Sequence, residues 1–479
     1  MKPFGEMNMK NQDEIEKLQQ QFTQQQNAYN AQPYPTSHER KQWLKQLFTQ
    51  LQQQESAFCN ALCEDFSHRS TDETRIAEVI PSLSAIKYCI KHVEEWMQPS
   101  SRKVSLLFQP AKAYIMPQPL GVVGIMVPWN YPIFLAIGPL CQALAAGNRV
   151  MLKMSEFTPR FAQLFQQVIE QSFPSDLIHV TTGDADISQA FSQLPFNHLF
   201  FTGSTTVGKH VMRAAAENLT PVTLELGGKS PALMAQDADF DEAIQRIAFG
   251  KTMNSGQTCV APDYVLVHTS QEQQFIEKYL LALQKFYPSI EHNPDYTAIV
   301  SQKQFERLER HIEDAKQQGA TIHTMSGQTS GRKLAHCVIQ NPTSDMTVMQ
   351  EEIFGPILPI ITYVNIDEAI QYINQRSRPL ALYYFGFNPK QQQHVLKHTH
   401  SGGVCLNETL MHVTQEDLPF GGVGASGLGS YHGIEGFKRF SHEKSVFARP
   451  KLSFMKVIYP PYGQWLQKKL FKFYFKNKA

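Results

Sequence analysis

From Gly121 onward the chain repeats one pattern: a short apolar run, a turn marked by glycine or proline, then a stretch with helical spacing. This pattern constrains the fold most. Apolar runs with no alternation are buried on both faces, and strands joined by helices pair in parallel. Gly121–Val127, Arg149–Lys153, His198–Thr202 and Thr223–Leu226 read as strands, with helices over Ile133–Ala146, Pro159–Phe173 and Thr206–Ala216. A second set begins after Gly228. Its helices are Phe240–Lys251, Glu272–Phe286 and Ile366–Gln375, and its strands Tyr264–His268 and Leu358–Tyr363. At 479 residues the chain is too long for one core, which stops growing near ~250–300 residues. Two doubly wound α/β domains are therefore expected.

The flanks read differently. The segment up to Trp96 is helical, with Leu44, Leu47, Phe48 and Leu51 at helical spacing and the glutamine run 19–26 on a solvated face. Val104–Phe108 and Ala113–Met116 flank Gln109-Pro110-Ala111 and read as a hairpin. Past Pro450 the chain ends in Tyr459-Pro-Pro-Tyr462 and a basic, aromatic stretch over 468–478, expected to pack or to contact a second copy.

Charge and cysteine usage exclude several classes. Lysine plus arginine number 44 against 43 acidic residues, so nothing draws the whole chain to nucleic acid. The apolar runs within 121–147 are broken by prolines and fall short of the ~20 residues of a membrane span. Met1 to Asp13 lacks the apolar core of a signal peptide. Seven cysteines with no C-x-x-C pair fit a reducing cytoplasm, and no further Cys/His pair joins Cys59 and Cys63 as a zinc set.

Three glycine-rich strings suggest nucleotide sites. Gly203 to Lys209 follows the P-loop pattern but ends in His210 where Mg²⁺ needs Ser or Thr. Gly227-Gly228-Lys229-Ser230 carries Thr223 in place of the leading glycine, and Gly422-Val-Gly424-Ala-Ser-Gly427 opens no βαβ unit. Other residues carry more chemistry. Cys259 sits in the small, polar run Asn254-Ser-Gly-Gln-Thr-Cys, whereas the other six cysteines lie among apolar neighbours and read as core. Glu225 ends an apolar strand before Gly227-Gly228, where a carboxylate is either capped or a base raised in pKa by burial. Asn130, between Pro128 and Pro132, is either a turn residue or an amide fixed to donate to an oxyanion.

Taken in order, Pro128-Trp129-Asn130, Lys153-Met-Ser-Glu156, Phe201 to Gly208, Leu224 to Pro231, Gly256-Gln-Thr-Cys259, Glu351 to Pro356 and Pro419 to Gly422 resemble the aldehyde dehydrogenase superfamily over nearly the whole chain. Within it, Leu219 to Glu225 and Gly421 to Gly433 look like class 3, and Asp65 to Ser70 with the Tyr-Pro-Pro-Tyr tail like the bacterial coniferyl aldehyde dehydrogenase branch. The resemblance implies NAD(P)-dependent oxidation of an aldehyde to a carboxylate through a thiohemiacetal and a thioester on Cys259. Asn130 would hold the oxyanion and Glu225 would activate water. Coniferaldehyde-like substrates are expected, with medium- or long-chain alkanals as the alternative.

For the cofactor, the resemblance implies contacts from Pro128, Trp129, Lys153, Glu156, the loop Gly203, Ser204, Thr205, Thr206, Val207 and Gly208, then Leu226, Glu352 and Phe354. Glu156 favours NAD because a 2′-phosphate would meet like charge, although NADP use fits class 3 as well. No metal is expected. The implied organisation is a cofactor domain over 1–100 and 120–226 with a return segment 406–445, a catalytic domain over 227–405, and an oligomerisation arm and tail over 101–119 and 446–479, the arm implying a homodimer.

Overall fold

The computed structural model describes residues 9–327, 329–451 and 455–475. Two largely parallel sheets dominate it. The first has six strands in the order Gly427–Leu428, Val222–Glu225, His198–Thr202, Val122–Met126, Arg149–Lys153 and Ile178–Thr181, and only Gly427–Leu428 is antiparallel to its neighbour. The second has seven, in the order Thr321–Thr324, Cys337–Gln340, Ile357–Tyr363, Tyr264–His268, Pro231–Met234, Ala381–Phe385 and Gly403–Leu406. There only Thr321–Thr324 is antiparallel.

Local chemistry explains the elements that frame the site. The helix Pro132–Ala146 is apolar on every side and buried along its whole length. Pro132 opens it, where a missing N–H costs nothing, and Gly147 at φ 90° ends it. The first sheet's strands are buried on both faces, as a sheet covered by helices requires.

Chain order within the first sheet sets the position of the site. From Val122–Met126 the chain adds two strands on one side, then returns to add two on the other. The topological switch point therefore lies between Val122–Met126 and His198–Thr202, and open α/β sheets hold ligands at the carboxyl ends of strands flanking such a point. Pro128 to Asn130 follow the first of these strands, Gly203 to Gly208 follow the second, and Lys153 and Glu225 end their neighbours. From the second sheet, Cys259 precedes Tyr264–His268 and Glu352 precedes Ile357–Tyr363. Carboxyl ends of one sheet thus face amino ends of the other.

Several expectations need correction. Val104–Phe108 is no hairpin strand: Leu106–Phe108 is a 3₁₀ turn and Leu106 is exposed. The real partners of Lys112–Pro119 are Ser100–Arg102 and the distant Ser441–Ala448. Apolar residues at 104–108 suggested pairing, but Gln109 folds its side chain back onto the Val104 carbonyl and Pro110 offers no N–H. The glutamine run is not purely solvated. Gln25 is fully buried and donates to the carbonyls of Val150 and Ser175, fastening the helix Met9–Ala31 to the first sheet. Cys63 is half-buried, so five of the other six cysteines are core, not all. The helix Trp465–Tyr474 rests on the adjoining segment, where the buried Gln467 donates to the Tyr459 carbonyl, while Trp465, Phe471, Phe473 and Tyr474 are exposed. Residues 476–478 of the basic stretch lie outside the described residues. Among the described residues no helix is long and apolar enough to cross a membrane.

Candidate active site

Glu225 ends its strand with the side chain turned inward, 3% exposed, and neither carboxylate oxygen has a hydrogen-bond partner. Burial without a donor penalises the charged form, so its pKa is held well above the ordinary carboxylate value, and Arg439 offsets this only in part. A buried polar group without a partner costs stability and is retained only where something else needs it.

Cys259 is half-buried at the end of a loop with unusual backbone geometry. Asn254 and Ser255 both lie in the left-handed region, at φ 52° and 51°, and Gly256 follows at 73°. A Cβ on Gly256 would sit 2.4 Å from the Gly355 carbonyl oxygen, so only glycine fits. Strain of this kind persists where the surroundings hold it. Here Glu73 accepts from the Asn254 N–H at 2.6 Å, and the buried Gln257 side chain bonds the Asn254 and Ala298 carbonyls and the Val300 N–H.

The same loop meets the turn at Asn130. The Asn130 amide nitrogen donates to the Gln257 carbonyl at 3.1 Å, and its carbonyl accepts from Asn254 at 3.0 Å. Tyr131 and Thr258 share a 2.6 Å hydroxyl contact one residue further along each segment. Asn130 keeps a second amide hydrogen, and the backbone N–H groups of Cys259 and Val260 favour the charged sulfur. Burial, followed by the charges of Glu352 and Glu225, nevertheless pushes the thiol up to about 12. The small, polar run around Cys259 is therefore half-buried in the fold, with the carboxyl groups of Glu352 and Glu225 near the sulfur.

Glu352 is the second of these. Its oxygens lie over Gly227, so close that a Cβ there would approach to 2.2 Å. Burial first, then Asp263, raises its pKa to about 8, against the Gly228 N–H, Lys229 and Arg307. Phe354 meets Trp129 edge-on at 5.3 Å. Pro128 and Trp129 are half-buried in the same turn.

The first sheet offers a second, more open cradle. Ser204 caps the helix Thr205–Ala216 by accepting from Val207 N–H at 3.3 Å. The next N–H groups, on Thr205 and Thr206, are those a helix cannot satisfy itself. A Cβ at Gly208 would press into Leu226 at 2.8 Å, so the loop sits tightly on the sheet. Ser204, Thr206 and Val207 are exposed. Such a terminus suits a phosphate. Lys153 is buried and donates to the carbonyls of Met154 and Gly183 at 2.7 and 2.8 Å, which leaves its pKa lowered to about 8. Glu156 remains exposed at the rim.

Cys259, Glu225, Glu352 and Asn130 thus converge in one cleft, while Glu156 and the Gly203–Gly208 loop mark its outer end. Sequence reasoning left several residues unassigned. Arg69, Asn254 and Tyr431 stood inside quoted motifs but received no role. Tyr431 is buried with an unpartnered hydroxyl, and burial, then Glu225 and Cys259, raise its pKa.

Residues 1–446 match the aldehyde dehydrogenase family. The chain is 54% identical over 463 residues, 97% of each chain, to a "Probable coniferyl aldehyde dehydrogenase" of Pseudomonas aeruginosa. It is 43% identical over 428 residues, 88% of this chain and 89% of the other, to a coniferyl aldehyde dehydrogenase of a Pseudomonas species. Among solved structures, the substrate-bound state of Staphylococcus aureus AldH superposes with a TM-score of 0.90 at 39% identity, covering 96% of this chain and 99% of that one. On its fold, its site geometry and these matches, the chain belongs to the aldehyde dehydrogenase family.

Proposed function

We propose that this aldehyde dehydrogenase acts on aromatic aldehydes of the coniferaldehyde type and that Cys259, Asn130 and Glu225 carry the reaction. The observation that carries the reading is the buried, unpartnered Glu225 carboxyl, which shares a cleft with the Cys259 thiol and the Asn130 amide. The Cys259 sulfur bonds to the carbonyl carbon as the thiol proton passes to solvent and the carbonyl π pair moves onto the oxygen. The free amide hydrogen of Asn130 and the Cys259 N–H hold the resulting oxyanion, and one such donor contributes roughly 2.7–4 kcal/mol. A bound nicotinamide supplies a hydride acceptor, so that the thiohemiacetal becomes a thioester. Glu225 then takes a proton from the attacking water, the C–S bond breaks, and carboxylate and thiol are released. The aromatic preference rests on the two Pseudomonas relatives.

Members of the family use NAD or NADP. The residues present fit a dinucleotide: a helix N-terminus for its pyrophosphate, Glu352 over Gly227 for the nicotinamide ribose, and Phe354 beside the ring. We favour NAD. The Lys153 ammonium is engaged by two carbonyls and is poorly placed to neutralise a 2′-phosphate, while Glu156 would repel one. We further propose the division into a cofactor unit (1–100, 120–226 and 406–445), a catalytic unit (227–405), and an arm and tail (101–119 and 446–479) through which two copies pair. The exposed aromatic face of Trp465–Tyr474 supports that pairing. The reduced thiols support a cytoplasmic location.

Cys259→Ala is expected to abolish NAD reduction with coniferaldehyde, benzaldehyde and hexanal alike. Turnover retained in that variant would refute the catalytic assignment. In the native enzyme kcat/KM should rank coniferaldehyde first, and a clear preference for hexanal would overturn the aromatic reading.

A further inference from the structure

Arg69 lies in the link between the helices Ser37–Asp65 and Thr71–Thr74, far from Cys259 in sequence, yet it is fully buried. One guanidinium nitrogen donates to the Asn130 carbonyl at 3.0 Å. Another pairs with Glu78 at 3.0 Å, and neither side chain has any solvent exposure. The guanidinium plane lies over the rings of Phe66 and Tyr131, 5.1 and 5.2 Å from their centres. The other Glu78 oxygen accepts from the N–H groups of Ile133 and Phe134 at 2.7 and 3.2 Å. Those are orphan donors of the helix Pro132–Ala146, whose own N-cap residue, Tyr131, supplies no side-chain cap.

Glu78 reaches this position from a π-helical turn, Arg75–Val79, and such turns recur at functional sites. Before that turn, Glu73 accepts from the Asn254 N–H and the Thr297 hydroxyl. One short stretch, Arg69 to Glu78, therefore grips both halves of the cleft: Asn130 and its helix through Arg69 and Glu78, and the strained nucleophile loop through Glu73. A buried ion pair is a poor way to gain stability, because desolvation offsets most of the attraction. Its geometry is what this site uses. Arg69 is the donor to the Asn130 peptide that comes from outside the nucleophile loop; the other donor, Asn254, belongs to that loop and moves with it.

We propose that Arg69, oriented by Glu78, is a positioning residue that fixes the Asn130 peptide so that its side-chain amide is aimed at the oxyanion formed on Cys259. This rests on the reading of Asn130 as an oxyanion donor. Lysine would keep the charge beside Glu78 but lose the planar fork that reaches both partners.

The test is a double-mutant cycle on the full-length enzyme with benzaldehyde and NAD, using Arg69→Lys and Asn130→Ala alone and together. Arg69→Lys is expected to lower kcat roughly 10–100-fold, within the ~10²–10³-fold loss of a single oxyanion donor, while the cofactor Kd from fluorescence titration changes less than about twofold. In the Asn130→Ala background the same substitution should change kcat less than about threefold, since the group it positions is gone. Equal losses in both backgrounds would overturn the proposal. An Asn130→Ala variant with normal kcat would instead remove the oxyanion reading on which it rests. Glu78→Gln keeps an acceptor for the Ile133 and Phe134 N–H groups and loses the ion pair, so it should reproduce the kcat loss without the cofactor effect. If neither Arg69→Lys nor Glu78→Gln folds, the pair is a folding element and the proposal fails.

Discussion

At the scale of single residues, burial moves the ionisation of the groups that meet at the site. Glu225 is the plainest case, a carboxyl shut away with no donor. Its folded pKa lies above that of a free glutamate, near ~4.3. Above that value the unfolded chain has released the proton that the folded chain still holds. Stability therefore falls as pH rises until the folded group ionises. Glu225→Gln has no such titration. Its melting temperature is expected to exceed that of the native protein by a margin that widens from pH 5 toward pH 9, with a ceiling of about 1–3 kcal/mol. Differential scanning calorimetry across that range checks the sign. The same variant should stall after hydride loss, and intact-mass spectra after substrate addition should show the acyl adduct on Cys259. A bare protein mass with normal turnover would remove Glu225 from the hydrolytic role. The gain in stability and the loss of function share one cause, the burial of a charge-bearing group that folding does not need.

Among elements, the site depends on turns more than on helices or strands. Each strand end delivers a short segment whose backbone is pinned from outside: Asn130 by Arg69, Asn254 by Glu73, and Gly227 beneath Glu352. Gly227 tests this reading well. Its φ needs no glycine, but a methyl group there would meet the Glu352 oxygens at 2.2 Å. Those oxygens terminate a flexible side chain, so Gly227→Ala should fold with a melting temperature within a few degrees of native. Glu352 must then swing aside. The expected result is a KM for NAD raised about tenfold or more, with the aldehyde KM nearly unchanged, as steady-state kinetics would show. Equal changes in both constants would mean that Glu352 does not serve the cofactor.

For the whole molecule, a third sheet ties the segment 100–119 to the strand Ser441–Ala448 near the C-terminal end. Ser100–Arg102, Lys112–Pro119 and Ser441–Ala448 form an antiparallel ribbon with wide solvent exposure on its outer strands. Beyond it the chain from Arg449 to Ala479 carries basic and aromatic residues but no aspartate or glutamate. The helix in that tail leaves its aromatic face uncovered, and exposed apolar patches of this size mark a contact surface. A chain ending at Ala448 should keep the native melting transition, because among the described residues the three hydrophobic cores include none from the tail. If two copies pair through the tail as proposed, sedimentation velocity should show a dimer for the full chain and monomer, wholly or partly, for the shortened one. An unchanged dimer would assign pairing to the ribbon alone.

The amino-acid sequence by itself determined the class of fold and singled out the candidate residues for the chemistry. Short doubly buried strands have few ways to pair, and Cys259, Glu225 and Asn130 stand in local contexts that packing alone does not favour. Local pattern also placed most strands and helices of the first sheet to within a residue or two. What it could not contain was anything set by distant pairing. The longer of the two partners of Lys112–Pro119, Ser441–Ala448, lies more than three hundred residues along the chain, beyond the reach of any local pattern. Gln25 looked solvated until the first sheet closed over it. Cys259 stood in a small, polar run, and only folding brought Glu352 and Glu225 near it and raised its pKa. Arg69 had no local signature, because its two partners come from segments that meet only in the assembled core. Burial and charge–charge proximity are properties of the tertiary structure, and they decide how the residues named by the sequence behave.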